Sequence, residues 1–276
     1  MDRIRLIASD MDATLLDEQS QLPADFEETI HALAELGIRF APASGRPLYT
    51  LEAMFPTLQD ELVFIGDNGG AIRWKGQNLF TSEMSPEGWR ALNRLTREQG
   101  DIAVLCGLES AYVERTFAVH DAVLRHFYTK IEYVDRLEDV TAPADKFTIY
   151  LPQHNAQQAY DTVYASQRSI YSVAVAGECW IDIMNAGVTK GAALEVLGRA
   201  WDLPSESIMA FGDTYNDAEM LQTVRYGFLM ENGSEPLRQK VPFLAPSHRE
   251  AGVMQVLHRV LAQNGCVCPE DFVPAH

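Results

Sequence analysis

The stretch Leu6-Ile7-Ala8-Ser9-Asp10-Met11-Asp12-Ala13-Thr14 decides the fold prediction for this chain. With the residues that precede it, its apolar side chains predict a short strand from Arg3 to Ser9. Two carboxylates, Asp10 and Asp12, come directly after that strand. At about 5 Å and an effective dielectric constant of about 20, their mutual repulsion is roughly 3 kcal/mol. A divalent cation with oxygen ligands is the natural compensation, and a solvated acidic turn is the alternative.

The segments that follow alternate between helical and strand patterns. Phe26, Ile30 and Leu33 recur at spacings of four and three, which predicts a helix that opens at Leu22-Pro23 and stops at Gly37. The next predicted elements are a strand at Ile38–Ala43, a helix from Pro47, a strand at Leu62–Ile65 and a hairpin of Ala71–Trp74 with Leu79–Thr81. This alternation predicts an α/β fold with a Rossmann-like parallel-sheet core.

The middle of the chain has a different pattern, in which helices and short strands are mixed. Helices are predicted at Pro86–Gln99, Phe117–Tyr128 and Asn155–Gln167, and strands at Ile102–Leu105, Lys146–Leu151, Tyr171–Val175 and Cys179–Met184. The earlier alternation returns with helices at Gly191–Trp201, Asn216–Leu221 and Gly252–Ala262 and strands at Ser207–Phe211 and Tyr226–Met230. We therefore expect a core domain of residues 1–82 and 187–276, with an inserted α+β domain at residues 83–186.

Composition and charge exclude several classes of protein. The 276 residues are 47% hydrophobic and 22% charged, which is typical of a folded protein with a large core. Lys and Arg number 22 and Asp and Glu 39, so the net charge of −17 argues against nucleic acid or an anionic membrane as a partner. Acidic residues interrupt the N-terminal apolar run, which argues against a signal peptide. Cys266 and Cys268 are too few for a zinc site, and a cytoplasmic location with reduced thiols is expected.

Polar clusters recur at positions that a parallel sheet would bring together. Ligands of open parallel sheets bind beyond the carboxyl ends of the strands. Besides Asp10 and Asp12, the clusters are Ser44-Gly45-Arg46, Lys190-Gly191 and Gly212-Asp213-Thr214-Tyr215-Asn216-Asp217. Each cluster alone has an ordinary explanation, which is a turn, a surface lysine or a helix cap. Their joint occurrence in this order is far more specific.

This order of motifs resembles that of the haloacid dehalogenase-like hydrolases, and most closely their Cof-type phosphatases with a large αβ cap. The resemblance extends over essentially the whole chain, including the Asn68-Gly69 that follows Ile65. It implies a phosphatase that acts on small phosphorylated metabolites such as sugar phosphates, nucleotides or cofactor phosphates. It also implies Mg²⁺ as the cofactor and an aspartyl-phosphate intermediate.

The resemblance assigns roles to individual residues. Asp10 matches the nucleophile and Asp12 the general acid and base. Mg²⁺ would be held by the Asp10 carboxylate, the Asp12 backbone carbonyl and Asp213, with Asp217 as a supporting or alternative ligand. The phosphoryl group would be bound by Met11, Ser44, Gly45, Lys190 and Asn216. Thr14 would support the site by fixing the turn and orienting Asp12, and Arg46 would also have a supporting role. Tyr112, Arg115, Trp180 and Arg46 are candidates for substrate contact, although packing or a surface position is the more ordinary explanation of the first three.

Two positions depart from the family pattern. Ala13 stands where the family usually has Gly, which matters only if the backbone there has a positive φ. Asp67 replaces a small or hydroxyl residue and is expected to add negative charge near the mouth of the site.

Two other functions share most of these features. A phosphomutase or phosphotransferase would use the same nucleophile and differ in the exclusion of water by the cap. A non-catalytic metabolite-binding relative would keep the fold, but the presence of Asp10, Asp12, Lys190 and Asp213 argues against it. The expected partner is a small phosphorylated metabolite, with the protein a monomer or a small homo-oligomer.

Overall fold

The computed structural model describes all 276 residues and contains two main β-sheets. The larger sheet has nine strands. In spatial order they are Val273–Pro274, Phe243–Ala245, Tyr226–Met230, Ile208–Gly212, Leu6–Asp10, Arg39–Ala43, Val63–Gly66, Ala71–Trp74 and Gln77–Thr81. The six strands from Phe243–Ala245 to Val63–Gly66 are parallel, and antiparallel strands flank them on both sides. The predicted α/β class with a parallel-sheet core is confirmed.

Helices cover both faces of the larger sheet. Ile7 joins the apolar cluster on one face, whereas Leu6 and Ala8 join the cluster on the other, as the alternation of a strand requires. The α-helices of this part are Phe26–Glu35, Leu48–Ala53, Lys190–Trp201, Ala218–Thr223, Glu235–Arg238 and Gly252–Ala262. Because both faces are buried, the sheet can present functional groups only at the ends of its strands.

The smaller sheet is formed by a continuous stretch of the chain. Its six strands, in spatial order, are Tyr171–Val175, Trp180–Asn185, Ala144–Tyr150, Ile102–Gly107, Ala111–Glu114 and Ile131–Val134. Residues 83–186, which contain this sheet, are called the insert below. The helix Pro86–Gln99 packs on the sheet through Trp89 and Leu92.

The bounds of the helix Pro86–Gln99 agree with the prediction because both of its ends carry local signals. The Ser85 hydroxyl accepts a hydrogen bond from the backbone N–H of Gly88 at 3.1 Å, and Pro86 occupies the first turn. Gly100 ends the helix with a φ of +74°.

Other parts of the insert differ from the prediction. The strands Ala111–Glu114 and Ile131–Val134 were not predicted, since each has four residues and Ile131–Val134 is a half-exposed edge strand without a clear alternation. The two later helices are shorter than predicted, with α-helix only at Asp121–Phe127 and Ala156–Thr162. Tighter helical turns at Arg115–His120 and Tyr164–Ser169 account for the remaining helical pattern.

Residues from the two ends of the sequence meet in a small ladder. Asp2–Arg3 pairs antiparallel with Cys266–Val267, so the strand predicted from Arg3 is divided, with its main part at Leu6–Asp10. All four cysteines are free thiols. No helix has both the length and the apolar character that a bilayer crossing requires.

Candidate active site

Three neighbouring parallel strands carry the motifs found in the sequence. They are Ile208–Gly212, Leu6–Asp10 and Arg39–Ala43, in spatial order. Asp10 is the last residue of its strand, and Ser44 and Asp213 directly follow the other two. Their side chains therefore share one edge of the sheet, as the sequence predicted.

Lys190 connects two carboxylates at this edge. It is the first residue of the helix Lys190–Trp201, whose N-terminus is capped by the Thr189 hydroxyl. Its Nζ donates to Asp10 Oδ1 at 2.5 Å and to Asp217 Oδ1 at 2.7 Å, and the side chain is fully buried. Burial alone would lower the pKa of the Lys190 ammonium, but the charges of Asp10 and Asp217 outweigh it and raise that pKa. The lysine is therefore held in its charged form.

Asp217 organises the loop after the strand Ile208–Gly212. Its Oδ2 accepts hydrogen bonds from the backbone N–H groups of Asp213 at 3.0 Å and Thr214 at 3.2 Å. Gly212 permits this approach, since a Cβ there would lie 2.4 Å from the Cβ of Asp217. Both carboxylate oxygens of Asp217 already have protein donors, so its role is to hold Lys190 and the loop in place.

Three carboxylates converge beside the lysine. Single oxygen atoms of Asp10, Asp213 and Asp217 all lie within 4.8 Å of one another. Burial raises the pKa of Asp10 to about 7 although Lys190 opposes the shift. Burial, followed by the charge of Asp217, raises the pKa of Asp213 to about 6. The three carboxylates have one lysine beside them, so their negative charge is only partly neutralised. Carboxylate oxygens in such a group can bind a divalent cation.

Asp12 lies outside this group of three carboxylates and is paired with Arg46. Its side chain is 60% exposed, and Arg46 Nη2 donates to Asp12 Oδ1 at 2.9 Å. The sequence suggested Arg46 as a substrate contact and gave no indication of this pairing. Both side chains border the cavity described below.

Ala13 and Thr14 complete the turn after the first strand. Ala13 has a φ of +56°, the left-handed conformation that costs an L-residue with a Cβ about 1 kcal/mol. Its carbonyl accepts a hydrogen bond from Asn232 Nδ2 at 2.8 Å, which holds the turn. The Thr14 hydroxyl is buried without a hydrogen-bond partner, so it does not orient Asp12 through a hydrogen bond.

A cavity of about 1050 Å³ lies between the larger sheet and the insert, and Lys190, the lysine that binds Asp10 and Asp217, is part of its lining. The core contributes Asp12, Ser44, Gly45, Arg46, Asn68, Lys190 and Asn216 to its lining, and the insert contributes Phe127, Tyr128, Lys146, Thr148, Trp180 and Asp182. Trp180 and Arg46 therefore border the cavity, where Trp180 packs against Phe127 and Tyr150. Tyr112 and Arg115 do not line the cavity, and Arg115 instead donates to the Tyr133 carbonyl at 2.7 Å.

A buried ionic cluster beside the cavity was missed by the sequence analysis. The Lys146 Nζ lies 2.9 Å from Asp67 Oδ1 and 3.6 Å from Asp182 Oδ2, and all three side chains are buried. Asp67, which was expected to add negative charge near the mouth, is thus enclosed and paired with a lysine. The only local signal was a lysine within an otherwise apolar predicted strand.

Several known proteins are similar to this chain in sequence or fold. Residues 7–257 match the model of a family described as haloacid dehalogenase-like hydrolase. The chain is 30% identical to the 5-amino-6-(5-phospho-D-ribitylamino)uracil phosphatase YbjI of Escherichia coli, over 94% of this chain and 96% of the relative. It is 29% identical to the HMP-PP phosphatase of Cronobacter sakazakii, over 87% and 89% of the two chains. A crystal structure from Streptococcus mutans is 27% identical with a TM-score of 0.84, and covers 94% of this chain and 99% of that one.

The match to the family model covers most of the sequence and includes all the residues of the carboxylate site. The similarity to YbjI extends over nearly the full length of both proteins. The chain therefore belongs to the haloacid dehalogenase-like hydrolases, and it is an enzyme of their Cof-type phosphatase branch.

Proposed function

We propose that this chain is a Mg²⁺-dependent phosphatase that hydrolyses small phosphorylated metabolites through an aspartyl phosphate on Asp10. The observation that carries the proposal is the position of Asp10. Its Oδ1 accepts a hydrogen bond from a buried lysine, which leaves Oδ2 without a protein donor, and two further carboxylates lie beside it. A carboxylate held in this way, beside a lysine that lines the cavity, suits attack on a phosphoryl group.

In this proposal Asp10 is the nucleophile, and Asp12 is the general acid and then the general base. An oxygen of the Asp10 carboxylate bonds to phosphorus, the bond from phosphorus to the leaving oxygen breaks, and Asp12 gives its proton to that oxygen. In the second half, the Asp12 carboxylate takes a proton from water, whose oxygen attacks the phosphorus. The bond to Asp10 then breaks and inorganic phosphate is released.

The surrounding groups neutralise the charge of the phosphoryl group. Lys190 supplies a fixed positive charge, and Ser44 and Asn216 border the same cavity with a hydroxyl and an amide. The backbone N–H groups of Met11 and Gly45 complete the proposed phosphoryl site. Donors that are already in position need no rearrangement as charge develops in the transition state.

The acidic group fits the metal that this function requires. The Asp10 and Asp213 carboxylates and the Asp12 backbone carbonyl would hold Mg²⁺, while Asp217 is occupied by Lys190 and the loop N–H groups. When bound, Mg²⁺ offsets the repulsion between the Asp10 carboxylate and an anionic phosphate. Without it, Lys190 alone would face three carboxylates.

The insert forms the part of the cavity where a leaving group would lie. Phe127, Tyr128 and Trp180 give it an aromatic wall. A flat apolar surface of this kind suits a leaving group that contains a planar ring. The substrate of YbjI, a phosphorylated ribitylaminouracil, has this chemistry and is the first compound to test.

The direct test is release of inorganic phosphate from a panel of phosphorylated metabolites, together with p-nitrophenyl phosphate, with Mg²⁺ or with a chelator. We expect release that depends on Mg²⁺ and is fastest for an aromatic or sugar-linked monoester. Release that continues undiminished in the chelator would exclude the metal-dependent mechanism. A transferred or bisphosphorylated product would instead indicate a phosphotransferase.

Stability should depend on pH and Mg²⁺ together. The pKa values of Asp10 and Asp213 are raised by folding, so their contribution to stability is present below about pH 4 and is lost as the pH rises through about 6 to 7. Bound Mg²⁺ offsets that loss because it requires the ionised forms. At about 100 times its Kd, Mg²⁺ should raise the Tm by about 5 °C at pH 8 and by much less at pH 5.

Differential scanning calorimetry in Mg²⁺ or chelator at the two pH values measures this effect. Asp213→Asn serves as the control, since it removes a proposed ligand and should make the Tm nearly insensitive to Mg²⁺. An equal Mg²⁺ effect at pH 5 and pH 8 would contradict the assignment of these carboxylates to the metal.

A further inference from the structure

One lysine of the insert reaches two loops of the core that border the proposed phosphoryl site. Lys146 lies in the strand Ala144–Tyr150, and its Nζ donates to the Gly45 carbonyl at 2.6 Å. The same Nζ forms an ion pair with Asp67 Oδ1 at 2.9 Å. An ammonium group that is 2% exposed must find its acceptors within the protein. Two of the three acceptors near Lys146 belong to the core, and Asp182 of the insert is the third, at 3.6 Å.

The two core loops, Ser44–Arg46 and Asp67–Asn68, are also hydrogen-bonded to each other. The Asn68 backbone N–H donates to the Ser44 carbonyl, and that of Asp67 donates to the Arg46 carbonyl, both at 2.9 Å. Asp67 and Asn68 have φ values of +51° and +54°, which are strained for residues other than glycine. Gly45 leaves room for the Asn68 side chain, whose Nδ2 would lie 3.2 Å from a Cβ at position 45. A movement of one loop would therefore move the other.

A single peptide unit connects Lys146 to the Ser44 hydroxyl. The carbonyl oxygen of the Gly45–Arg46 peptide accepts the hydrogen bond from Lys146. The N–H of the same peptide, which belongs to Arg46, donates to Ser44 Oγ at 3.1 Å. Because a peptide unit is planar and rigid, the lysine at one end fixes the direction of the N–H at the other.

We propose that Lys146 is a positioning residue, which orients the Ser44 hydroxyl through the Gly45–Arg46 peptide where the insert contacts the core. The inference rests on the proposed function, since Ser44 and Gly45 are proposed there to bind the phosphoryl group. Lys146 acts through the loop and need not touch the phosphoryl group itself. The phosphoryl site is thus complete only while the insert contributes its lysine.

The test compares the wild type with Lys146→Met and with Lys146→Met/Asp67→Asn. The double variant also removes the charge of Asp67, the carboxylate nearest to the Lys146 Nζ, so the loss of charge balance is smaller while the loss of the Gly45 hydrogen bond stays the same. Binding of inorganic phosphate with Mg²⁺ is measured by calorimetry, and turnover with p-nitrophenyl phosphate. In both variants we expect the phosphate Kd to rise about tenfold and kcat to fall about 10- to 100-fold, the scale of a small misplacement of a binding group.

A matched control removes a different ion pair between core and insert. Arg73 Nη2 lies 2.6 Å from Glu109 Oε1, and this contact touches neither loop. Glu109→Gln should therefore keep both the phosphate Kd and kcat within about twofold of the wild type. Equal losses in this variant would mean that any weakening of the contact between core and insert is sufficient, and would overturn the assignment to Lys146.

The remaining outcomes are also decisive. Wild-type phosphate affinity in the double variant would show that Lys146 only neutralises Asp67, and would overturn the inference. A wild type that binds phosphate but releases none from any ester would overturn the proposed function, while the binding data still test Lys146. A wild type that binds no phosphate would overturn both.

Discussion

Asp10→Asn is expected to lower phosphate release by at least ~10⁴-fold, because an amide cannot form the acyl phosphate that a carboxylate forms. The replacement has nearly the same shape, and Lys190 keeps its second partner, Asp217, at 2.7 Å. The fold should therefore persist, and the loss should lie in kcat. Stopped-time phosphate release with p-nitrophenyl phosphate measures the effect, and circular dichroism confirms the fold.

Glu219→Gln is the matched control for Asp10→Asn. Glu219 borders the same cavity but makes no hydrogen bond or ion pair, and its substitution also exchanges a carboxylate for an amide. Its activity should stay within about twofold of the wild type. Undiminished turnover in the Asp10 variant would remove Asp10 from the mechanism, whatever the control shows.

Lys190→Met is expected to lower the free energy of unfolding by about 3–5 kcal/mol and to abolish activity. The substitution leaves Asp10 and Asp217 buried side by side without the ammonium that now separates their charges. Removal of one partner from a buried ionic group is costly because the remaining charges cannot regain water. Urea unfolding, followed by circular dichroism without added metal, measures the change.

A double variant tests the physical reason for that loss. In Lys190→Met/Asp217→Asn, one of the two unpaired carboxylate charges is also removed. The loss in free energy of unfolding should therefore be smaller than the sum of the losses in the two single variants by about 1–3 kcal/mol. Lys240→Met, at an exposed lysine, should change stability by less than about 0.5 kcal/mol. Strictly additive losses would show that Lys190 and Asp217 do not depend on each other.

The carboxylate site was predictable because its residues directly follow strands that the sequence reveals. Parallel strands bring such residues to one edge, so Asp10, Ser44 and Asp213 could be placed together before any coordinates. The ion pairs between Lys190 and its two aspartates were not predictable, since Lys190 is 180 residues from Asp10 and 27 from Asp217. Local spacing contains no information about which side chains meet across such distances.

The insert was less predictable than the core, for related reasons. The cluster of Lys146 with Asp67 and Asp182 joins positions that no motif relates, and a lone lysine in a strand is usually a surface residue.

The pairing of Arg46 with Asp12 was missed in the same way. From the sequence, Ala13 in place of Gly was expected to matter only if its φ is positive. The backbone of the turn shows that this φ is positive.

The order in which the strands occur in the chain has a consequence for biosynthesis. All six strands of the smaller sheet lie between residues 102 and 185, so they can assemble as soon as that stretch leaves the ribosome. The strand Leu6–Asp10 cannot pair with its neighbour Ile208–Gly212 until that later strand has been synthesised. Until then, one edge of Leu6–Asp10 has unpaired backbone hydrogen-bonding groups. We expect nascent chains that stop before residue 208 to be the species most prone to aggregation and most dependent on chaperones.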